Sequence, residues 1–454
     1  MNRFGKIVCS RAVALLLVAC VVGCVSVDED VVLARTAIEE GRPEDACAWS
    51  ANLATNSVYS TRLGAVEAGR VASLAGDSVA AEAWFRRAID SAVARDEGEP
   101  KLTLRDAANT ALAATVTDDR TREYYLAPYE INMALYGGIL AQLQNGKRDD
   151  ALADARLSVY VQDQLAKTYG EDLVKESASS DEKATRASGQ VCASETAALR
   201  EMMKATRNSW ENALLWYLTG VLFEADHDRE TALQSYRKAL ACQETNPVFA
   251  SAVSRLESPA RATSGTAKLV VLYEEGLVPM RESVKIPVPI YTAMSIDLPR
   301  YADTSAYAPS HVAVSGASAL RAATPALDVQ ALAARDLSEA LPGIVTRNIT
   351  RAAVQAGAQA AVNAAGNEYA KLAVLVVNAT ASALRRADTR TWATLPRGIQ
   401  VWEEDAMTPG AYELGFAVDG ETRLVPVTLQ AGDVKIVVVS HVGALWRVAT
   451  ASAR

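Results

Sequence analysis

The chain has 454 residues, enough for two or three domains that each bury a core. Half of its residues are apolar but only 6% are aromatic, and alanine is abundant, which favours closely packed helices. The net charge of −8 argues against a nucleic-acid partner, because proteins of that class usually present a basic face.

Residues 1–24 are predicted to be a lipoprotein signal peptide. A basic start precedes an apolar run at 12–22, which has the length of a signal-peptide core and is too short to span a bilayer. The run ends in Val-Val-Gly-Cys24, and an earlier candidate, Leu-Val-Ala-Cys, ends at Cys20; both resemble the bacterial lipobox. We favour lipidation of Cys24, which leaves the longer apolar run. An ordinary cleaved signal or an N-terminal anchor with incidental cysteines is the alternative.

A lipidated cysteine predicts the location of the protein, which is the periplasmic face of the outer membrane. No later segment reaches 18 uninterrupted apolar residues, so the lipid is expected to be the only membrane contact. The two or three acyl chains of a mature lipoprotein hold a protein at a membrane stably.

Three cysteines remain if Cys24 is lipidated, and the compartment is oxidising. One disulfide can form, and the pair Cys192–Cys242 is favoured, with isolated buried thiols as the alternative. No pair has CxxC spacing and the chain has only three histidines, so neither a metal site nor a cofactor is predicted. The third cysteine is Cys47.

A repeat runs through the N-terminal half. Four short turns are each followed, five residues later, by an alanine, and the spacing between units fits a period of about 34 residues, that of the tetratricopeptide repeat (TPR). A TPR is a helical hairpin that stacks on its neighbours into a solenoid. A generic helical bundle is the alternative. The turn residues and their alanines are Gly41 and Ala46, Gly76 and Ala81, Gly146 and Ala151, and His227 and Ala232.

Two of the four units match the TPR pattern of small and aromatic residues well. Glycine and alanine let the two helices of a hairpin approach closely, and an aromatic ring fills the space between hairpins. The other two units depart from the pattern, since Ala34 and Ile139 stand where glycine is expected. The matching residues are Gly69, Ala81, Phe85 and Ala88 in one unit, and Trp216, Gly220, Phe223, Ala232, Tyr236 and Ala239 in the other.

The composition changes at 258–265, which we interpret as a linker between a TPR-like helical domain (25–257) and an α+β domain (266–454). Beyond the linker, strands are predicted at 267–273 and 284–291, followed by a long Ala-rich helix at 327–386 with breaks near 341–343 and near Gly366. Asp419-Gly420 predicts a tight hairpin turn. The fold class is therefore α+β, with an N-terminal solenoid and a smaller, mostly antiparallel sheet. The remaining predictions are a polar loop at 177–188 and strands at 399–403, 411–418, 422–429 and 434–442.

The chain resembles an uncharacterised family of bacterial envelope lipoproteins with TPR-like N-terminal halves. The likeness spans nearly the whole chain, and it implies a role in building the cell envelope, because members are similar to neighbours of lipoproteins that activate penicillin-binding proteins. It carries no functional residues. The stretches that carry the likeness are Tyr124-Tyr-Leu-Ala-Pro-Tyr-Glu-Ile-Asn-Met-Ala-Leu-Tyr136-Gly-Gly, Asn145-Gly-Lys-Arg-Asp-Asp-Ala-Leu-Ala-Asp-Ala-Arg156, and Ala387-Asp-Thr-Arg-Thr-Trp392-Ala-Thr-Leu-Pro396 leading into Ile399-Gln-Val.

The sequence contains no GxSxG, HExxH, GxGxxG or P-loop motif, so no catalytic residue is assigned and the chain is not predicted to be an enzyme. Ser440 and His441 are adjacent, but neighbours on a strand point to opposite faces and do not form a dyad.

The favoured function is a lipid-anchored scaffold that binds another envelope protein through the concave face of the solenoid, in an undetermined oligomeric state. The alternatives are an enzyme or ligand-binding protein that acts through the C-terminal domain, and a structural subunit of a secretion or surface-appendage assembly. The residues predicted to bind the partner are Arg70, Met133, Tyr136, Tyr217 and Glu224.

Overall fold

The computed structural model describes residues 26–55, 61–96, 99–102, 123–176, 182–258, 265–288, 295–316, 320–364 and 386–454. The signal-peptide prediction, with Cys20 and Cys24, lies outside these ranges. Within them the chain is a mixed α and β structure, as the sequence predicts. Helices dominate up to Glu257, and β-strands dominate from Ala267 onwards.

Helical hairpins form the N-terminal half. Helices α3 and α4, α5 and α6, and α8 and α9 pack in pairs across tight turns, and the pairs contact each other through α4 with α5 and α6 with α8. The helices are α1 (Ser26–Glu39), a 3-10 turn (Pro43–Ala46), α2 (Cys47–Thr55), α3 (Thr61–Ala75), α4 (Ser78–Ala92), α5 (Pro128–Gln144), α6 (Arg148–Glu176), α7 (Glu182–Ala198), α8 (Ala213–Ala225), α9 (Arg229–Cys242) and α10 (Pro247–Glu257).

The four predicted turns share one backbone geometry. At Gly41, Gly76, Gly146 and His227, φ is 81°, 86°, 72° and 66°, which is the left-handed region. Each of these residues donates its N–H to the carbonyl three residues earlier, and the next residue donates to the carbonyl five before it, at 2.8–3.1 Å. This is the Schellman motif, which satisfies the last carbonyls of a helix. The predicted turns are therefore confirmed, and they end four helices in the same way.

In two hairpins a glycine on the first helix faces an aromatic ring on the second. A Cβ placed on Gly69 would lie 2.8 Å from the Phe85 ring, and one on Gly220 would lie 2.6 Å from the Tyr236 ring. Both distances are too short for a real Cβ, so glycine is required for the two helices to approach this closely.

The third hairpin reverses the sizes at this contact. Ile139 on α5 and Ala155 on α6 occupy the corresponding positions, and both are fully buried. Because the large residue is on the first helix and the small one on the second, the hairpin needs no glycine at 139. The first unit departs further, since Ala46 lies in the 3-10 turn that precedes α2.

The strands form two main sheets and two separate hairpins. In the five-stranded sheet, of order β13-β12-β3-β9-β8, β12 runs parallel to β3 and the other neighbours are antiparallel. The antiparallel four-stranded sheet has the order β11-β10-β6-β7, and β1–β2 and β4–β5 are hairpins. The strands are β1 (Val93–Asp96), β2 (Glu99–Leu102), β3 (Ala267–Glu275), β4 (Arg281–Pro287), β5 (Ser295–Tyr301), β6 (Val312–Ser315), β7 (Arg321–Ala322), β8 (Thr324–Asp328), β9 (Gly398–Met407), β10 (Gly410–Val418), β11 (Glu421–Leu429), β12 (Val434–Val442) and β13 (Leu445–Ser452).

Strand β3 is buried along its whole length because both of its faces are covered. Leu269, Val271 and Tyr273 pack in the core between the two sheets, whereas Val270 and Leu272 belong to the core shared with the helices. The molecule therefore has three layers, helices, five-stranded sheet and four-stranded sheet, and its largest core crosses the predicted linker.

Helix α11 (Val329–Ala364) continues through Pro342, so the predicted break at 341–343 is wrong. The predicted helical residues 365–385, with the break near Gly366, lie outside the described residues. Proline removes one backbone hydrogen bond, but the residues that follow it are anchored, since Val345 packs with Val191 of α7. The same packing explains why α7 begins at Glu182, inside the stretch 177–188 that was predicted to be a loop.

The other predicted strands agree with the structure to within a few residues, and the Asp419-Gly420 turn joins β10 and β11 as predicted. Cys47, Cys192 and Cys242 are free thiols, so the favoured disulfide is not formed. Burial raises the pKa of the Cys242 thiol to about 12, as expected for an unreactive cysteine. The sequence did not predict β1, β2, β5–β8 or β13.

Replacing His227 with glycine is expected to stabilise the protein by about 1 kcal/mol. His227 is the only one of the four turn residues with a side chain in the left-handed region, where a Cβ costs roughly 1–2 kcal/mol. Urea unfolding of the purified mature chain measures the effect. Gly146→Ala, at an open position with φ of 72°, is the matched control and should destabilise. A destabilised His227→Gly variant would contradict the prediction.

Replacing Ala232 with leucine is expected to overpack the α8–α9 hairpin and cost roughly 1–3 kcal/mol. Ala232 is fully buried, and the helices already approach closely enough to require glycine at 220. Thermal unfolding measures the loss, with the exposed Val79→Leu as a control that should be nearly neutral. Equal stability of the two variants would contradict close packing at Ala232.

Candidate ligand site between the helices and the sheet

The five residues predicted to bind a partner lie against the chain's own C-terminal half. Arg70, Met133, Tyr136 and Tyr217 are 7%, 2%, 3% and 0% exposed, and Glu224 is mostly buried. The sequence pattern identified the inner surface of the hairpins, but the five-stranded sheet covers it. The structure therefore places these residues in an intrachain interface, which corrects the expectation of an open binding surface.

Arg70 and Tyr136 meet at the buried carboxylate of Glu274 on β3. The Arg70 Nη1 lies 2.6 Å from Glu274 Oε2, the Tyr136 hydroxyl donates to Oε1 at 3.0 Å, and the Ser440 hydroxyl donates to Oε2 at 2.6 Å. The Glu274 side chain is 1% exposed. A carboxylate so far from water needs a partner charge, and here Arg70 provides it.

A small cavity of about 40 Å³ lies beside this cluster and is partly open. Arg70, Glu274 and Arg447 are the charged residues that line it, together with the rings of Phe85 and Trp392. Arg70 Nη2 and Arg447 Nε are buried and have no acceptor among the described residues. The lining therefore combines apolar rings with two guanidinium groups, each of which keeps one buried donor without an acceptor among the described residues.

The backbone at the end of α3 positions Arg447. A Cβ on Gly76 would lie 1.7 Å from Arg447 Nη2, so the guanidinium rests directly on this glycine. The C-terminal end of a helix carries partial negative charge and favours a cation. Gly76 thus serves both the turn and the approach of Arg447.

Tyr217 and Glu224 belong to a second cluster, which joins α8 to β3 and β9. Lys268 Nζ lies 3.2 Å from Glu224, 3.0 Å from Glu403 and 3.4 Å from Asp405. Tyr217 donates to Glu403. Burial alone would raise the pKa of Glu224. The positive charges of Lys268 and Arg255 outweigh burial, and the pKa is lowered from 4.5 to about 2.

A third set of contacts holds residues 391–394 across the hairpins. Glu67 on α3 accepts from the Ala393 N–H at 2.6 Å and from the Thr394 hydroxyl. Glu130 on α5 accepts from the Trp392 N–H at 2.9 Å. Two buried carboxylates thus bind the backbone of this segment, which lies where a TPR solenoid would bind a separate peptide.

The candidate catalytic pair is not assembled. Ser440 points to Glu274, whereas His441 Nδ1 lies 2.6 Å from the Tyr273 hydroxyl on the opposite face of the sheet. Burial lowers the pKa of His441. Strand geometry thus separates the two side chains, as the sequence analysis expects.

In the part of the chain that the structure describes, no group of three or more His, Cys, Asp or Glu residues could hold a metal ion. None of the helices described is both long and apolar enough to cross a membrane. Comparison with protein-family models, with curated proteins and with solved structures finds no match for this chain.

Several residues of these clusters were missed by the sequence analysis. Glu67 and Glu130 lie within helical segments where charged residues are usually exposed, and Glu274 lies in β3 directly after its apolar run. A signal existed for Lys268, because it interrupts an otherwise apolar run in β3. Their partners lie far away in the sequence, so spacing could not reveal the pairs.

Proposed function

We propose that the chain is a lipid-anchored adaptor on the periplasmic face of the outer membrane, and that its helical half is a TPR-like solenoid that binds another envelope protein. The lipobox-like sequences at Cys20 and Cys24 support the anchor. The four matching turns and the two glycine–aromatic contacts support the solenoid. Such stacks serve widely as rigid protein-binding surfaces.

The observation that carries the proposal is the burial of the hairpins' inner surface on the chain's own sheet. Packing on a shared core orders the hairpins in advance, and an ordered surface binds a partner at a lower entropic cost. The surface left for a partner is the outer one, formed by α4, α6 and α9. On α4, Val79 is 69% exposed, and Arg87 stacks on Trp84 at 5.5 Å, which offers an apolar and cationic contact.

A non-enzymatic function is favoured over an enzyme of the C-terminal domain. Ser440 and His441 face opposite sides of their sheet. Among the described residues, the charged ones that line the cavity beside Glu274 are two arginines and a glutamate that is paired with one of them. The other histidine near a strand is His311, which is exposed and directly precedes β6. Turnover of a peptidoglycan fragment by the purified protein, lost in His441→Ala or His311→Ala, would contradict this proposal.

The anchor is tested by replacing both Cys20 and Cys24 with serine. We expect the variant to lose labelled fatty acid and to leave the membrane fraction, because serine provides no thiol for the lipid. The single variants show which cysteine is used. Cys47→Ser, in the described part of the chain, is the matched control and should stay lipidated. Quantitative membrane retention with fatty-acid labelling of the double variant would contradict the lipoprotein proposal.

The binding surface is tested by photo-crosslinking in intact envelopes. A crosslinking residue is placed in turn at Val79, Arg156 and Arg237, which are exposed on α4, α6 and α9. We expect one protein to be captured from at least two of these positions. Leu424, exposed on β11, is the control. Capture only from Leu424, or from none of the four positions, would contradict binding by the outer helical surface.

A further inference from the structure

We propose that the cavity beside Glu274 binds a carboxylate group of a small ligand, held by Arg70 and Arg447. The proposal goes beyond the adaptor function, because it assigns a ligand to a cavity between the hairpins and the sheet rather than a protein to the outer helical surface. It stands on three observations: unused donors, a charge imbalance and a size.

The donors come from two guanidinium groups. Arg70 donates from Nη1 to Glu274, and its Nη2 has no acceptor among the described residues. The Arg70 side chain is only 8% exposed, so water has little access to this donor. Arg447 Nε is also buried without an acceptor among the described residues. A buried donor left unsatisfied costs about 1–3 kcal/mol. A ligand that accepts from both groups removes that cost, and guanidinium forks fit carboxylate oxygens in particular.

The charge balance of the lining favours an anion. Arg70 and Arg447 contribute two positive charges, and Glu274 contributes one negative charge that is already paired with Arg70 at 2.6 Å. The end of α3 offsets part of the charge of Arg447 but supplies no hydrogen bond to its Nε. One formal positive charge therefore remains, which matches a monoanion.

The size of the cavity fits a small group such as a carboxylate. Its volume is about 40 Å³, which is more than one water molecule needs. The carboxylate end of a ligand can therefore enter the cavity while the rest of the ligand stays outside. Because the cavity is partly open and lined by Phe85 and Trp392, a short apolar tail can extend from the bound group.

The test is a titration of the purified mature chain with ¹³C-labelled acetate, followed by NMR line broadening at constant ionic strength. We expect saturable binding to the wild type and at least a tenfold loss of affinity in Arg447→Gln. Arg447 makes no hydrogen bond to the described chain, so this variant should fold, which circular dichroism verifies. Arg447→Lys keeps the positive charge but loses the paired donors of the guanidinium group. Its affinity for acetate should lie between those of the wild type and Arg447→Gln.

Arg207→Gln is the matched control, since it removes one positive charge from an exposed position between α7 and α8, and it should bind acetate like the wild type. Three results would overturn the proposal: no saturable binding to the wild type, unchanged binding by Arg447→Gln, or phosphate binding as tightly as acetate. The first two would show that the site does not exist, and the third would show that it is not specific for a carboxylate.

A carboxylate can come from a free short acid or from the C-terminus of a peptide. Competition of labelled acetate with lactate, and with a dipeptide bearing either a free or an amidated C-terminus, distinguishes these sources. Displacement by lactate alone assigns free acids, and displacement by the free but not the amidated dipeptide assigns a chain terminus. Equal displacement by the amidated dipeptide would contradict carboxylate recognition.

Discussion

Replacing Arg70 with methionine is expected to lower the free energy of unfolding by about 3–5 kcal/mol, which is the usual cost of leaving a buried charge without its partner. The stranded group is Glu274, whose side chain is 1% exposed and whose neighbours, Tyr136 and Ser440, donate hydrogen bonds but bring no charge. Urea unfolding of the mature chain at pH 7 measures the loss.

Two further variants separate the lost charge pair from lost packing. In Arg70→Met combined with Glu274→Gln, the charge is removed but the acceptor for Tyr136 is kept, so we expect the double variant to recover more than half of the loss. Arg237→Met breaks an exposed ion pair on α9 and should change stability by less than about 1 kcal/mol. A double variant as unstable as Arg70→Met would mean that methionine fails to pack, and that the charge pair is not the cause.

Replacing Glu67 with glutamine is expected to stabilise the protein at pH 8 and to leave it unchanged near pH 4. Burial raises the pKa of Glu67 from 4.5 to about 7, although Thr394 and Ala393 donate hydrogen bonds to it. Between these two values the folded chain holds a proton that the unfolded chain releases, so the contribution of Glu67 to stability falls as the pH rises and is lost above about pH 7.

Glutamine removes this titration and keeps an acceptor for the Ala393 N–H. The gain at pH 8 follows from the size of the pKa shift and is about 3 kcal/mol as an upper bound. Glu224→Gln is the matched control, because its effect on stability should change with pH in the opposite direction. Since the pKa of Glu224 is held at about 2, its carboxylate contributes stability above pH 4.5 that is lost as the pH falls towards 2. A Glu67→Gln variant whose stability relative to wild type does not vary with pH would contradict the assignment.

The helical half was the most predictable part of the fold because its signals are local. A turn residue followed five positions later by alanine predicts the end of a helix, and the Schellman geometry at all four turns confirms these four helix ends. Strands β10–β12 were equally clear, since alternation and the Asp419-Gly420 turn define their ends. The short strand β6 and the two-residue β7 have no comparable local pattern.

The five residues predicted to bind a partner do lie on a covered surface of the hairpins. The covering element is the chain's own sheet, and the sequence did not predict this contact. An apolar or aromatic pattern such as Met133 and Tyr136 shows that a helix face is covered, yet it does not distinguish a partner protein from the rest of the same chain. The deciding contacts join residues far apart in sequence, as in the pair of Glu67 and Ala393. The buried charges also made this interface hard to predict, because charged residues such as Arg70 and Glu274 are usually exposed.

The turn between β12 and β13 has a consequence for biosynthesis. The Ala444 N–H donates to the Glu39 carbonyl at 2.7 Å, and Gly443 lies so close to Glu39 that a Cβ would be 2.4 Å from that oxygen. The end of α1 is therefore completed by a segment that leaves the ribosome long after it. Contacts of such long range form slowly, so a nascent chain would expose the hairpins' apolar surface until β12 and β13 arrive. Chaperones that hold unfolded chains are thus expected to bind this protein during its synthesis.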